Sequence, residues 1–248
     1  DLAAADLAVS AGGDLASAPD LALGLAPDLA SSGGSPHPLY AALDLDSLPG
    51  AGGGASGAYQ SPTLPTTTRT VTVQSSGTTA AADLLAACQT AGTAVTVPSA
   101  AGAIGVVNLG NVEDCDITLG PDVIISFLYA GNLPGPTRSP VHRVRIRGGQ
   151  LGSLFVAPQS TDLVFDGVIF NNAVLPPAER AATAIYLIND DAQSDGFVDR
   201  FAVVNSIIRM VATLPSGSGD TDGNAFLGAK ARNVFFANNN VVTAGNRN

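Results

Sequence analysis

The stretch LVFDGVIF, Leu163 to Phe170, carries a pattern that recurs along the chain. Apolar residues alternate over a short run, a turn former follows, and a further apolar residue closes the frame. The inward set here is Leu163, Phe165, Gly167 and Phe170. The frame returns as Val144, Ile146, Gly148, Leu151, then as Phe201, Val203, Asn205, Ile208, and again as Val234, Phe236, Asn238, Val241. A looser copy is Ile117, Leu119, Pro121, Ile124. Successive copies start 27, 19, 38 and 33 residues apart (117 to 144, 144 to 163, 163 to 201, 201 to 234). Alternation of this kind is the period-2 mark of a half-buried strand, and self-similarity at such spacings is the mark of a repeat architecture. The turn position holds Gly, Gly, Asn and Asn, the residues that most readily enter left-handed backbone conformations. Gly148, Gly167, Asn205 and Asn238 are therefore expected at equivalent corners. The strands that follow one another should pair in parallel at about 4.8 Å. Stacked asparagines should hydrogen-bond from row to row.

Bulk composition agrees with a fold made of strands and corners. Among 248 residues only 13% are charged, while Gly and Pro number 28 and 16. The net charge of −10 argues against nucleic acid or an anionic membrane surface as a partner. No apolar run approaches the roughly 20 residues of a membrane span. The chain begins at Asp1 without a signal pattern and stops soon after a repeat copy, and is read as a fragment of a longer protein.

Residues 1–69 differ from the rest. Asp-Leu-Ala starts at Asp1, Asp6, Asp14, Asp20 and Asp28, and no aromatic precedes Tyr40. Such a segment buries too little apolar surface to offset chain entropy, and is expected to be a disordered low-complexity stalk or linker. Its end, Ser61 to Thr68, reads as a Pro/Thr-stiffened linker. Residues 70–77 read as a strand. Thr78 to Ala91 reads as a helix with Thr79 as N-cap and Leu84, Leu85 and Cys88 on its apolar face, stopped by Gly92. Thr93 to Pro98 returns to strand.

The repeated frame, opened by strand, short helix, Gly, strand and Pro, resembles the right-handed parallel β-helix of the pectate-lyase-like superfamily. The resemblance implies an all-β solenoid over residues 70–248, with the helix capping the first coil. A helix in a crossover is the other reading of that element. The Asp-Leu-Ala repeats resemble the stalks of some bacterial surface lipoproteins, which implies a secreted or cell-surface protein; an ordinary disordered tail is the alternative.

A second strand family lies between the copies, at Leu154–Val156, Ile185–Leu187 and Ala225–Leu227. With the flanking aliphatics inward, Phe155, Tyr186 and Phe226 should form one outward column, suited to binding sugar rings. Two acidic clusters border it, Asp190 and Asp191 with Asp195 on one side, Asp220 and Asp222 on the other. Asp190, Asp191, Asp220 and Asp222 are candidate acid and base groups. Asp220, Asp222 and Asn224 resemble part of a calcium loop, which makes calcium the one cofactor suggested. Lys230 and Arg232 are candidate lyase bases. The bland reading of all these loops is solvated acidic turns.

Arg143, Arg145 and Arg147 alternate onto one outer face. They suit an acidic polysaccharide, but stacking the copies gives another use. Asp116, Arg143, Asp162 and Arg200 fall in one column of alternating charge, and Gly120, Arg147, Asp166 and Val204 in a second. Cys88 and Cys115 are either a disulfide between helix and first coil or two buried thiols. Two functions follow for a monomer of this kind. One is a polysaccharide lyase or glycoside hydrolase. The other is a non-catalytic surface solenoid that binds glycans or a protein partner.

Overall fold

The structure is a computed structural model that describes residues 60–131, 139–176, 183–187, 196–211, 224–228 and 230–244. Among the described residues thirteen strands join one sheet in which every pairing is parallel. In chain order they are β1 (Arg69–Thr72), β2 (Thr93–Val97), β3 (Ala103–Asn108), β4 (Glu113–Ala130), β5 (His142–Val156), β6 (Thr161–Asp166) and β7 (Ile169–Asn171), followed by β8 (Thr183–Leu187), β9 (Val198–Val204), β10 (Ile207–Val211), β11 (Asn224–Gly228), β12 (Ala231–Ala237) and β13 (Asn240–Ala244). One helix, α1 (Gly77–Cys88), lies between β1 and β2.

Three ladders run through this sheet. The first is β1-β2-β4-β5-β6-β9-β12. The second joins β3, β4, β5, β7, β10 and β13. The third joins the ends of β4 and β5 to β8 and β11. From β6 onward the chain visits the second and third ladders before returning to the first. Strands this short, paired in parallel, have no two-residue connection available to them.

The core runs between the ladders as stacked rows of aliphatic and aromatic side chains. Val95, Ile117, Ile146, Phe165, Val203 and Phe236 occupy one column of the first ladder. The first five are buried, and Phe236, in the last described row, is 39% exposed. Phe201 sits between Phe165 and Phe236, with ring centroids 5.7 and 6.3 Å away. Each such side chain contributes roughly 1.5–3 kcal/mol on burial. Of the inward set expected from the repeat, Val144, Ile146, Leu151, Leu163, Phe165, Phe170, Phe201, Val203 and Ile208 are buried, while in the last copy Val234 is half-buried and Phe236 and Val241 are exposed.

Four expected corners share a register position. Arg147, Asp166, Val204 and Ala237 pair in sequence, which places Gly148, Gly167, Asn205 and Asn238 one residue on. All four have positive φ, 68, 65, 52 and 52°. Asn238 Nδ2 donates to Asn205 Oδ1 at 2.8 Å, and Asn205 Nδ2 to Asp166 Oδ1 at 2.9 Å. The looser copy needs correction. Cys115, Ile117 and Leu119 pair with Val144, Ile146 and Gly148, an offset of 29 rather than 27. Pairing then resumes at Ile124 opposite Gln150, so β4 carries three extra residues past its corner. Aligning Pro121 with Gly148 across that insertion moved the whole strand by two.

The helix starts earlier and ends earlier than its sequence pattern suggests. Ser76, extended at φ −130° and ψ 167°, is the N-cap in place of Thr79. Ala80, Leu84, Ala87 and Cys88 recur at helical spacing and enter the core. Cys88 is bonded to Cys115, with Cα atoms 5.5 Å apart. The disulfide joins α1 to the first ladder.

Candidate functional site

The first ladder has one more irregularity, at its entering edge. Register places Gly92, Asp114, Arg143, Asp162, Arg200 and Asn233 in one column. All six have positive φ, 76, 51, 52, 60, 53 and 52°. A left-handed backbone at aspartate or asparagine is common, whereas at arginine it needs a compensating interaction. That compensation is visible. Arg143 clasps Asp114 through Nε to Oδ1 at 2.7 Å and Nη2 to Oδ2 at 2.9 Å, and also meets Glu113. Arg200 clasps Asp162 through Nε to Oδ1 at 2.6 Å and Nη2 to Oδ2 at 2.7 Å. Two-point pairs of this kind are the stronger form of charged hydrogen bond.

The electrostatics follow. The Arg143 hydrogen bond holds the Asp114 carboxyl below its ordinary value, against a smaller opposing effect of burial. Burial pushes Asp162 up, but Arg200 and the backbone N–H of Thr63 more than reverse this, and the carboxyl ends lowered. Both arginines are raised by their aspartates. This column is the alternating-charge stack expected from sequence, with Asp114 in the place assigned to Asp116. Asp116 instead pairs with Arg145 at 2.5 Å and Arg147 at 3.3 Å. Arg147, Asp166 and Val204 share a second column as expected, but its earlier member is Thr118, not Gly120. Both displacements come from the same insertion in β4. Arg143 does lie opposite Asp162 in register, yet its guanidinium turns to Asp114. All three arginines of the basic stretch are thus held by carboxylates of the preceding row.

The outer face of the third ladder carries the aromatic residues. Tyr129, Phe155 and Tyr186 lie in one column, which begins at Asn108 and continues to Leu227. Phe127 stands beside them, after Val106 in its own column. The four rings are half-buried, while Val106 and Leu227 are exposed. Tyr129 and Phe155 are stacked at 5.2 Å, and Tyr186 meets Phe155 edge-on at 6.0 Å. Stacked rings turn their faces to each other, so this pair offers solvent its edges and the tyrosine hydroxyl rather than open faces.

Phe226 does not join this column. It pairs with Ile185 and packs on Phe236, with centroids 5.0 Å apart, leaving Leu227 opposite Tyr186. Alternation in Ala225–Leu227 permits both registers, and the contact with Phe236 selects the inward one. Sequence reasoning missed Phe127 and Tyr129. Their signal was present, because aromatic, aliphatic and aromatic residues alternate just after the Ile117 copy.

Asp190, Asp191, Asp195, Asp220 and Asp222 lie outside the described residues. Asn224 opens β11. Lys230 and Arg232 lie at the start of the first ladder's last strand, where Arg232 reaches Asp199 at 3.1 Å and covers the Phe197 ring at 5.4 Å. Among the described residues no three His, Cys, Asp or Glu side chains are grouped to hold a metal ion. A recess of about 420 Å³ is lined by Ile208, Ala225, Phe226, Phe236 and Val241 with Asn238 and Asn239. It is the inner face of the last described row seen end-on. No family model, curated protein or solved structure matches the chain.

Proposed function

We propose that the chain is a right-handed parallel β-helix of the pectate-lyase-like kind, capped by α1 and preceded by a stalk, that binds an extended glycan along the outer face of its third ladder. The observation that carries this reading is the aromatic stripe of Phe127, Tyr129, Phe155 and Tyr186, continued by Leu227. Every row from β4 to β11 supplies at least one of its residues, so a polymer lying along the stack meets apolar contact at each step. The tyrosine hydroxyls give and accept hydrogen bonds, and ring edges and aliphatic side chains supply apolar contact. A disulfide between Cys88 and Cys115 favours an oxidising compartment, in keeping with export to the cell surface. No helix among the described residues is long and apolar enough to cross a membrane.

The test is affinity electrophoresis of the full chain on a panel of neutral and uronic-acid polysaccharides, with ultraviolet absorbance recorded on the same mixtures. Binding to one class, weakened about tenfold or more by Tyr129→Ala with Tyr186→Ala, supports the reading. Equal binding by that double variant overturns it. Unsaturated products absorbing in the ultraviolet would instead establish a lyase, with Asp190, Asp191, Asp220 and Asp222 as the residues to replace first.

A further inference from the structure

The segment ahead of β1 lies against the column of left-handed corners. Thr68 N and Arg69 N donate to Gly92 O at 2.7 and 3.2 Å. Thr66 N donates to Asp114 Oδ1 at 3.4 Å, Thr63 N to Asp162 Oδ1 at 2.8 Å, and Gln60 N to Asn233 Oδ1 at 3.1 Å. The segment therefore crosses from the row of β2 to the row of β12. Its donors are spaced three residues apart, and its acceptors are two rows apart.

These two spacings agree for a physical reason. A polyproline-II helix has three residues per turn and rises about 3.1 Å per residue, so a turn covers about 9.3 Å. Two strand rows cover about 9.6 Å. A β-strand of similar reach would turn alternate donors away, because its period is two. Only a threefold helix brings the N–H groups of residues 60, 63 and 66 to the same side. The sequence favours that helix. Pro62 and Pro65 each precede a donor, and each restricts the residue before it to extended conformations. Neither proline falls where an N–H is needed. Pro62 is buried, so a second side of the segment also packs.

The column shows the matching period. Its acceptors are Asp114, Asp162 and Asn233, and the rows between hold Arg143 and Arg200. A guanidinium has no acceptor, so the side chains of those rows cannot receive an N–H. The alternation of charge thus serves two partners, the arginines along the column and the strap across it.

We propose that this column is a groove for a polyproline-II segment, and that Gln60–Thr68 is a detachable strap seated in it. The strap spans six rows and is tied by backbone donors to four of them, at Gly92, Asp114, Asp162 and Asn233. It also holds Gln60 beside Asn233, at the opposite end of the column from β1. Neither statement depends on the glycan reading.

The experiment is a proline scan of the full chain. Spin labels are placed at Leu64→Cys and Asn240→Cys, or at Thr67→Cys and Asn240→Cys when position 64 is scanned, and their separation is read by pulsed dipolar spectroscopy. The starting chain should give a narrow distribution. Thr63→Pro and Thr66→Pro each remove a donor while keeping extended geometry. Each should raise the released fraction about tenfold, and both together should broaden the distribution fully. Leu64→Pro and Thr67→Pro should leave it narrow. Equal effects at 64 and 67, no effect at 63 and 66, or a broad distribution in the starting chain would each overturn the proposal. Amide exchange of the unsubstituted protein gives a second reading free of folding defects. Thr63 and Thr66 should be protected while Leu64 and Thr67 exchange fast, and uniform exchange across the four would also overturn it.

Discussion

Arg200 holds both oxygens of Asp162, at 2.6 and 2.7 Å, while both residues keep left-handed backbones on neighbouring rows. Asp162 also accepts Thr63 N, so one nearly buried carboxylate joins two strands and the strap. Arg200 meets Asp199 as well, at 2.9 Å, and Asn233 donates to that second carboxylate at 2.8 Å. The charges of this column have partners within the chain, as Arg145 and Arg147 of the basic stretch have in Asp116.

Removing one partner of this pair should cost more than removing one partner of the corresponding pair two rows away. Arg200→Met leaves Asp162 buried, with its carboxylate 5% exposed, and should cost about 3 kcal/mol in urea unfolding. Arg143→Met leaves Asp114 at 20% exposure, and should cost about 1 kcal/mol. Equal losses would show that burial is not what separates the two rows.

Acid should loosen the same column. The carboxyls of Asp114 and Asp162 are lowered in the folded chain relative to their ordinary value. A lowered folded pKa means stability that is complete above the unfolded value, about 3.9, and lost as pH falls through the folded one. Urea midpoints should therefore stay level with respect to these two groups above about pH 5 and decline below about pH 4. Asp162→Asn should flatten part of that decline, and an unchanged slope would place the acid sensitivity elsewhere.

The corner at Asn205 should reveal its backbone requirement. Asn205→Ala loses the bonds to Asp166 and Asn238 and keeps φ near 52°, which should cost about 1–2 kcal/mol or more. Asn205→Gly should recover part of the loss, because glycine takes that conformation freely. Thermal melts of the two variants against the parent give the comparison, and an alanine variant as stable as the glycine variant would contradict it.

Breaking the disulfide should separate α1 from the ladder energetically. Cys88 and Cys115 are 27 residues apart, and closing a loop of that length contributes about 3.5 kcal/mol on the chain-entropy view. Cys88→Ala with Cys115→Ala should lower the urea midpoint accordingly. A change below about 1 kcal/mol would mean that helix packing alone fixes α1.

What the sequence determined by itself was local. Alternation places Leu163 and Phe165 inward whatever the partner strand, because side chains of one strand have only two faces. Glycine and asparagine mark corners because backbone sterics act within one residue. Those two facts made the parallel rows and the shared corner of Gly148, Gly167, Asn205 and Asn238 legible. Which residues meet across rows was decided only in three dimensions. Three extra residues after Leu119 moved Asp114, not Asp116, beside Arg143. A contact with Phe236 turned Phe226 inward and gave its place in the aromatic column to Leu227. The strap was least legible of all. Its period of three matches a distance of two strand rows, and that distance does not exist until strands far apart in sequence have paired.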